Sequence, residues 1–330
     1  MLNSSLAIIG NHNHCILLFF IVITSFSIAY YFAGMQMTMP VLFGERREPD
    51  IFREIVLSNH IDIVDLKQHT VENFSCIRTK YLLHIVSTTL CLYGVGDVVS
   101  DNIRKERIWE EPHLIRLLGF FIRYPHRNFI DVGANVGTYT MFIASFGRSV
   151  LAIECFKPNL DRIRKAIQIE NIQNRVVVVG NAISSESAKY LRLESIPNNI
   201  GGQAVIINST AGQSNDDVYV VKTMRFDDIL PIIKMRDMRN VVMKVDIQWS
   251  EMFLCETGNE TFNYLNLPVV LMEWAVVAQY IDRMRNVLKF FIGRGYVPTA
   301  DMCAVLKETD AFQKWPSDVY WMKMNRSEIC

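Results

Sequence analysis

The apolar residues of this chain fall into short, nearly unbroken runs that alternate with stretches of helical spacing. Phe129–Val132, Val150–Glu154, Val176–Val179, Val241–Asp246 and Val269–Glu273 are such runs, and they read as strands buried on both faces. Helical segments fill the gaps, most clearly over Asn159–Asn171, where Pro158 suits a helix start. That alternation predicts a parallel sheet with helices on both faces. Near the C-terminus, Pro298–Leu306 and Val319–Met324 predict an antiparallel hairpin at the sheet edge, which makes seven strands. Ahead of the sheet, residues 61–124 read as helical and mixed segments. Within them Glu111–Phe121 carries apolar residues at helical spacing and ends near Pro125. Residues 195–213 are polar and contain glycines, and predict a loop or β-excursion over a site.

A different pattern occupies the N-terminus. Ile16–Ala33 is 18 residues without a charge, and no Asp, Glu, Lys or Arg occurs between Met1 and Glu45. At about 1.5 Å per residue such a segment nearly spans a hydrocarbon core. It predicts a retained transmembrane anchor over 16–34, after a short tail of 1–15. A buried helix and a cleaved signal peptide are the alternatives, the second lacking a basic n-region. Residues 35–86 then form a stem and N-terminal extension, and 87–325 the folded domain.

Orientation cues conflict. Arg46, Arg47 and Arg53 follow the span while no Lys or Arg precedes it, which favours a cytoplasmic C-terminal side. Asn-x-Ser/Thr sequons beyond the span, at Asn73, Asn208, Asn259 and Asn325, favour a glycoprotein with a lumenal domain. The expectation is a signal-anchor protein of the Golgi or ER whose domain faces the lumen. The seven cysteines include no Cys-x-x-Cys and no zinc-spaced cluster, so no metal site is expected. Cys15 abuts the span; the other six either pair in an oxidising lumen or stay buried as thiols.

Candidate chemistry lies where the first strand ends. Asn128-Phe129-Ile130-Asp131-Val132 runs into Gly133-Ala134-Asn135-Val136-Gly137 and then a helix, and the next strand ends in Glu154. A strand, a glycine turn, a helix and an acid-tipped second strand make the nucleotide-binding half of a doubly wound, Rossmann-like α/β fold. Gly133 and Gly137 let backbone approach a ligand where a Cβ would clash, and Glu154 is placed to accept both hydroxyls of a ribose. The spacing is Gly-x-x-x-Gly, not the dinucleotide Gly-x-Gly-x-x-Gly, and no Gly-Lys-Ser/Thr follows a glycine-rich turn. NAD needs bare backbone facing a pyrophosphate. S-adenosylmethionine has no phosphate, so the motif favours the methyl donor. A tight turn with no ligand would carry the same glycines.

Phe129–Gly137 closely resembles the first motif of the FkbM family of S-adenosylmethionine-dependent methyltransferases, which carries Asp-Val-Gly-Ala-Asn-x-Gly at this point. Ile108-Trp109-Glu110 is similar to the tryptophan–glutamate element ahead of that family's domain. Val242–Asp246 is similar to its Lys-x-Asp strand, with Glu251 where the next glutamate falls, and Pro268–Glu273 to the strand that follows. The resemblance covers residues 87–325, with the motifs in family order. It implies a class I methyltransferase fold and S-adenosylmethionine as cofactor. Asp131, Gly133, Asn135, Gly137, Glu154 and Asn181 would then hold the cofactor. Among these, Asp131 orients the turn or meets the methionine amino group, and Asn181 meets the adenine edge. Asp246, Glu251 and Glu273 are the catalytic candidates on the acceptor side, with Asp246 to receive a proton from a hydroxyl. The chain departs from the family in one place. Asp-x-Glu-Gly-x-Glu is here Asp246-Ile247-Gln248-Trp249-Ser250-Glu251, so an amide replaces a carboxylate and an indole a glycine. That change bears on turnover more than on cofactor binding.

Charge is balanced, 34 Lys and Arg against 34 Asp and Glu, with no basic run, which speaks against a nucleic-acid partner. The expected function is an S-adenosylmethionine-dependent O-methyltransferase acting on the hydroxyl of a small molecule or glycan. The rival is a membrane-anchored protein that keeps the fold but works in binding or trafficking, as Gln248 and Trp249 suggest. A nicotinamide-dependent epimerase or dehydrogenase fails on the glycine spacing and on the lack of a Tyr-x-x-x-Lys pair.

Overall fold

The computed structural model describes residues 61–68, 72–206, 209–214 and 216–323. The anchor expected over 16–34, the stem as far as residue 60, and the sequons at Asn208 and Asn325 lie outside the described residues. Among those described, no helix is long and apolar enough to cross a membrane.

A hairpin comes first, β1 (Ser75–Arg78) antiparallel to β2 (Thr89–Leu92), with Cys76 opposite Cys91 and a disulfide joining them. This hairpin spans the boundary expected at 86/87, so the extension and the domain share it. Its two strands are four residues each, too short to stand out from mixed segments. Cys303 is also disulfide-bonded, whereas Cys155 and Cys255 are free thiols. Two helices follow, α1 (Val98–Glu106) and α2 (Glu111–Arg123). Asp97 caps α1 by accepting the Ser100 N–H at 2.7 Å. In α2 the proline sits in the first turn, where its missing N–H has no partner to lose. Leu114, Leu117, Leu118 and Phe121 form that helix's buried stripe.

The main sheet then begins with β3 (Asn128–Val132), α3 (Thr138–Ser145), β4 (Val150–Ile153), α4 (Lys157–Glu170) and β5 (Val176–Val179). A small sheet interrupts it, formed by β6 (Ala182–Ile183), β7 (Tyr190–Glu194), β8 (Ala204–Val205) and β9 (Val220–Met224), and α5 (Leu230–Met235) leads back. The chain resumes with β10 (Val241–Val245), α6 (Glu251–Thr257), α7 (Asn259–Tyr264), β11 (Val269–Glu273), α8 (Ile281–Gly293), β12 (Val297–Thr299) and β13 (Asp318–Met322). The seven strands lie in the order β12-β13-β11-β10-β3-β4-β5. All are parallel except β13, which is antiparallel to both its neighbours. The expected mostly parallel sheet of seven with a C-terminal hairpin is therefore present, and β3, β4, β5, β10 and β11 fall within a residue of the apolar runs.

Both faces of the sheet are covered, which is why the strands read as unbroken apolar runs. Along β3 the pleat sends Phe129 into a core with Phe121, Phe142 and Ile163. Ile130 and Val132 enter the opposite core with Met243, Phe226, Phe291 and Trp321. The chain winds outward from β3 to β5, then returns to place β10 on the other side of β3. This reversal leaves a crevice at the carboxyl ends of β3 and β10, the place where open α/β sheets take ligands. The interruption expected over 195–213 is a β-excursion, and it is longer than expected, from Ala182 to Met224. Tyr190–Glu194 buries only Leu193 fully, so its alternation was too weak to mark a strand.

Candidate functional site

The crevice holds a cavity of about 170 Å³, room for on the order of ten waters. Its walls come from the ends of the inner strands and from two covers. One cover is the start of α1 and α2, through Val98, Val99, Trp109 and Glu110. The other is the segment 199–205 of the excursion. That segment is fastened in three places. Asn198 O accepts the Val98 N–H at 2.8 Å, Gly201 N–H donates to Asp97 at 3.3 Å, and Gly201 O accepts from Asn159 Nδ2 at 2.8 Å. A Cβ on residue 201 would lie 2.2 Å from Asn135 Oδ1, so glycine lets the cover sit directly on the turn after β3.

That turn is as sharp as its glycines require. Gly133 and Gly137 have φ of +83° and +87°, and Asn135 between them has φ of 53°. The reason for the glycines differs from the expected one. A Cβ at Gly133 would lie 1.8 Å from the Asp246 carbonyl oxygen, and one at Gly137 3.0 Å from Ile163 Cγ1. Both therefore make room for the protein itself. Gly133 and Asn135 line the cavity, while Gly137 lies outside it as the N-cap of α3.

Glu154 closes one side. Its two oxygens accept the Asn135 N–H and the Phe156 N–H, each at 2.8 Å. Burial pushes its carboxyl up to about 7 because those bonds only partly replace water. The Asn159 side chain donates to the same carboxylate, which with the two backbone bonds leaves one of its four lone-pair sites open. Asn181 also lines the cavity, but its amide is engaged on both ends, accepting from the Asp62 N–H at 2.7 Å and donating to Lys222 O at 3.4 Å. Asp131 is not on the cavity. Its Oδ2 accepts the Thr140 N–H at 2.9 Å and the Thr140 hydroxyl at 2.6 Å, holding the start of α3. Of the two roles weighed for Asp131, orienting the turn is the one its position serves.

The other side is acidic. Lys244 Nζ donates to Asp246 Oδ2 at 2.9 Å, and Gln248 Nε2 donates both to Asp246 Oδ1 at 3.0 Å and to Glu273 Oε2 at 3.1 Å. Burial works to discharge Lys244, but Asp246, Glu110 and Asp131 outweigh it and hold the ammonium above the usual lysine range. Burial also pushes Asp246 up, yet Lys244 and the surrounding hydrogen bonds leave it below the ordinary carboxylate value. Glu273, pushed up to about 10 by burial and by Asp246 and Glu251, carries a proton at neutral pH. Glu251 accepts the Ile247 N–H at 3.1 Å and is raised by burial to about 7. It faces a smaller second cavity with Trp249 and Trp274, and Glu273 borders both cavities.

The Gln248-Trp249 departure has a local account. Both residues take left-handed φ, 49° and 66°, a conformation that suits a glycine at the second position. An amide at 248 supplies the donor that ties two carboxyls together, where a glutamate would add a further negative charge. Trp249 packs its ring 5.4 Å from that of Tyr280.

Trp109 and Glu110 belong to the cavity although neither was counted among the site residues. Their motif was visible, but nothing in the spacing says that a residue eighteen positions ahead of β3 returns to its far end. Three buried polar atoms on cavity-lining residues lack a hydrogen-bond partner, Asn199 Oδ1, Gln203 Oε1 and Ser250 Oγ. Together with the open lone pair of Glu154, they fit a polar nucleoside such as the adenosyl end of S-adenosylmethionine.

No family model matches the chain, and no curated protein does. The similarity to the FkbM family thus rests on the motifs. Among solved structures, a precorrin-6y C5,15-methyltransferase from Geobacter metallireducens GS-15 is 15% identical, with 63% of this chain and 85% of that one covered at a TM-score of 0.32. EvdMO1 is 14% identical, with 64% of this chain and 40% of that one covered at a TM-score of 0.31. Likeness at that level carries no argument about what this chain does.

Proposed function

We propose that this protein binds S-adenosylmethionine and methylates a hydroxyl group, as an enzyme of FkbM type. The observation that carries the reading is Glu154, a buried carboxylate at the end of the second strand of the winding, joined to the glycine turn by the Asn135 N–H and bordering the crevice. The strand order supports it, since β5-β4-β3-β10-β11-β13-β12 with β13 reversed is the order expected of a class I methyltransferase. The bound cofactor would supply an activated methyl group. Asp246, kept charged by Lys244, accepts the acceptor's proton, and Gln248 fixes the direction in which it does so. A weak base suffices because a hydroxyl oxygen acidifies sharply as it gains a carbon. The intact acid group and its tie through Gln248 favour turnover over a lapsed, purely binding role.

Calorimetric titration of the full-length chain with S-adenosylmethionine tests the reading. Micromolar affinity is expected, lost in Glu154→Ala. The affinity should also fall about tenfold per pH unit below 7 and level off above it, because a ribose hydroxyl donates to the ionised carboxylate and the proton on Glu154 must leave first. No binding by folded protein would leave the fold without this function.

The same proposal places the domain in the lumen of the Golgi or ER behind the 16–34 anchor, with a glycan as the acceptor class found there. The Cys76–Cys91 disulfide supports an oxidising compartment, and Asn73 is exposed. Asn259 is held by Arg294 while its sequon partner Thr261 is fully buried. Endoglycosidase treatment of protein from cells should therefore shorten the wild type, and Asn73→Gln should remove one glycan. A band insensitive to the enzyme would favour the cytoplasmic orientation that the arginines suggest.

A further inference from the structure

We infer that Glu110 anchors the positively charged end of the cofactor, so that the site selects nucleosides carrying a cation over neutral ones. The inference rests on the cofactor reading above and adds the contact that reading lacks.

The sheet orders the cavity. Glu154 follows β4, Gly133 follows β3 and Asp246 follows β10, and these strands are neighbours in that sequence. A ligand that puts its ribose on Glu154 and lies over Gly133 therefore extends toward the β10 side. Glu110 lies on that side. Its Oε2 accepts the Tyr139 hydroxyl at 2.6 Å, and the same Tyr139 ring lies 4.8 Å from Lys244 Nζ on β10.

Four carboxylates gather here, and three are already committed. Asp131 is walled off from the cavity and spends one oxygen on Thr140. Asp246 receives Lys244 and Gln248. Glu273 receives Gln248 and keeps its own proton. Glu110 has one neutral donor, Tyr139, and no other side-chain hydrogen bond or ion pair among the described residues. Lys244 gives its short contact to Asp246. A carboxylate bordering a cavity with one neutral donor is completed best by a charged one.

The backbone adds a second observation. Glu110 sits at φ 49° at the start of α2, a left-handed conformation that a non-glycine residue adopts at a cost, and its side chain makes no capping bond there. Of the cavity-lining residues in that cover, Val98, Val99, Trp109 and Glu110, Glu110 is the carboxylate. Its motif partner Trp109 borders the same cavity. The competing role is a tie between α2 and α3 through Tyr139, with no ligand contact.

Three nucleosides separate these roles without any acceptor. S-adenosylmethionine carries a sulfonium and an ammonium, S-adenosylhomocysteine only the ammonium, and 5′-methylthioadenosine neither. Each is titrated calorimetrically into the full-length chain in detergent, wild type and Glu110→Gln. Glu110→Gln is expected to weaken the two amino-acid nucleosides about 10- to 100-fold, the loss of one charge-assisted contact. Methylthioadenosine should keep its wild-type affinity, which also reports that the variant is folded. Loss confined to S-adenosylmethionine would support the anchor and assign it to the sulfonium. Unchanged ratios among the three, or an equal loss of all of them, would overturn the proposal and leave Glu110 a structural tie. A wild-type chain that binds none of the three overturns the cofactor reading and this proposal with it.

Discussion

Gly133→Ala is expected to destabilise the fold by more than about 4 kcal/mol, not merely to weaken ligand binding. The added Cβ would arrive 1.8 Å from the carbonyl oxygen of Asp246 and 3.1 Å from Ile247 Cγ2. The first of these is backbone, so no side-chain rotation relieves it. The ends of β3 and β10 would have to separate, and they are the two strands between which the crevice opens. The left-handed φ of +83° adds about 1–2 kcal/mol for any L-residue. Together these place the cost beyond about 4 kcal/mol, in the exceptional range for one substitution, against a total stability on the order of 5–15 kcal/mol. Gly137→Ala is the control. It shares the positive φ but meets only side chains, Ile163 at 3.0 Å and Met141 at 3.5 Å, so about 1–2 kcal/mol is expected. Thermal unfolding of both variants decides. Equal midpoints would remove the packing account and return Gly133 to the ligand role its motif first suggested.

The glycine turn shows where reading the chain succeeds and where it stops. Its position, its sharpness and the acid at Glu154 follow from residue types and spacing, because a left-handed turn after a buried strand leaves few residues to choose from. What the glycine makes room for does not follow. Asp246 is over a hundred residues away, and only the return of β10 beside β3 brings its carbonyl there. Asp131 is a similar case. A carboxylate at the end of an apolar strand is conspicuous, but its partner, Thr140, lies in the next helix, and facing the helix or facing the ligand look alike in one dimension. The inner strands were legible because burial on both faces makes their runs unbroken. The β1–β2 hairpin and the excursion strands were not, since they are two to five residues long and take their order from partners across the chain. Gln248 had the opposite fate. In the sequence it marks a missing charge, whereas in the fold its amide bridges the charged Asp246 and the protonated Glu273.

Lys244→Met should destabilise the protein by about 1–3 kcal/mol, short of the cost of breaking a fully buried pair because the Asp246 side chain keeps 28% of its surface open to the crevice, and the loss should grow with pH. Lys244 is 5% exposed and is the one cation bonded to Asp246 among the described residues. With the lysine present, Asp246 titrates below its ordinary value. Its ionised form then adds stability above the unfolded pKa, and that contribution is lost only as pH falls through the lower folded value. Methionine fills similar volume but removes the largest influence opposing burial, leaving only the bonds from Gln248 and Glu273, so Asp246 moves above its unfolded pKa. The sign reverses: the folded state now binds the extra proton, and stability is lost as pH rises. The difference in unfolding midpoint between wild type and Lys244→Met should therefore widen from pH 5 to pH 8. Taking the difference cancels the slope that Glu154 contributes to both proteins, whereas Glu251 and Asp131, which Lys244 also lowers, move up with Asp246 and add to the widening. Asp246→Asn in the Lys244→Met background removes the stranded charge and should recover part of the loss, a coupling on the order of 1–3 kcal/mol in a double-mutant cycle. A pH-independent difference, or strictly additive variants, would mean that Lys244 stabilises the fold by packing on Tyr139 and not by holding Asp246 charged. In that case the proton acceptor assigned to Asp246 would lose its physical basis.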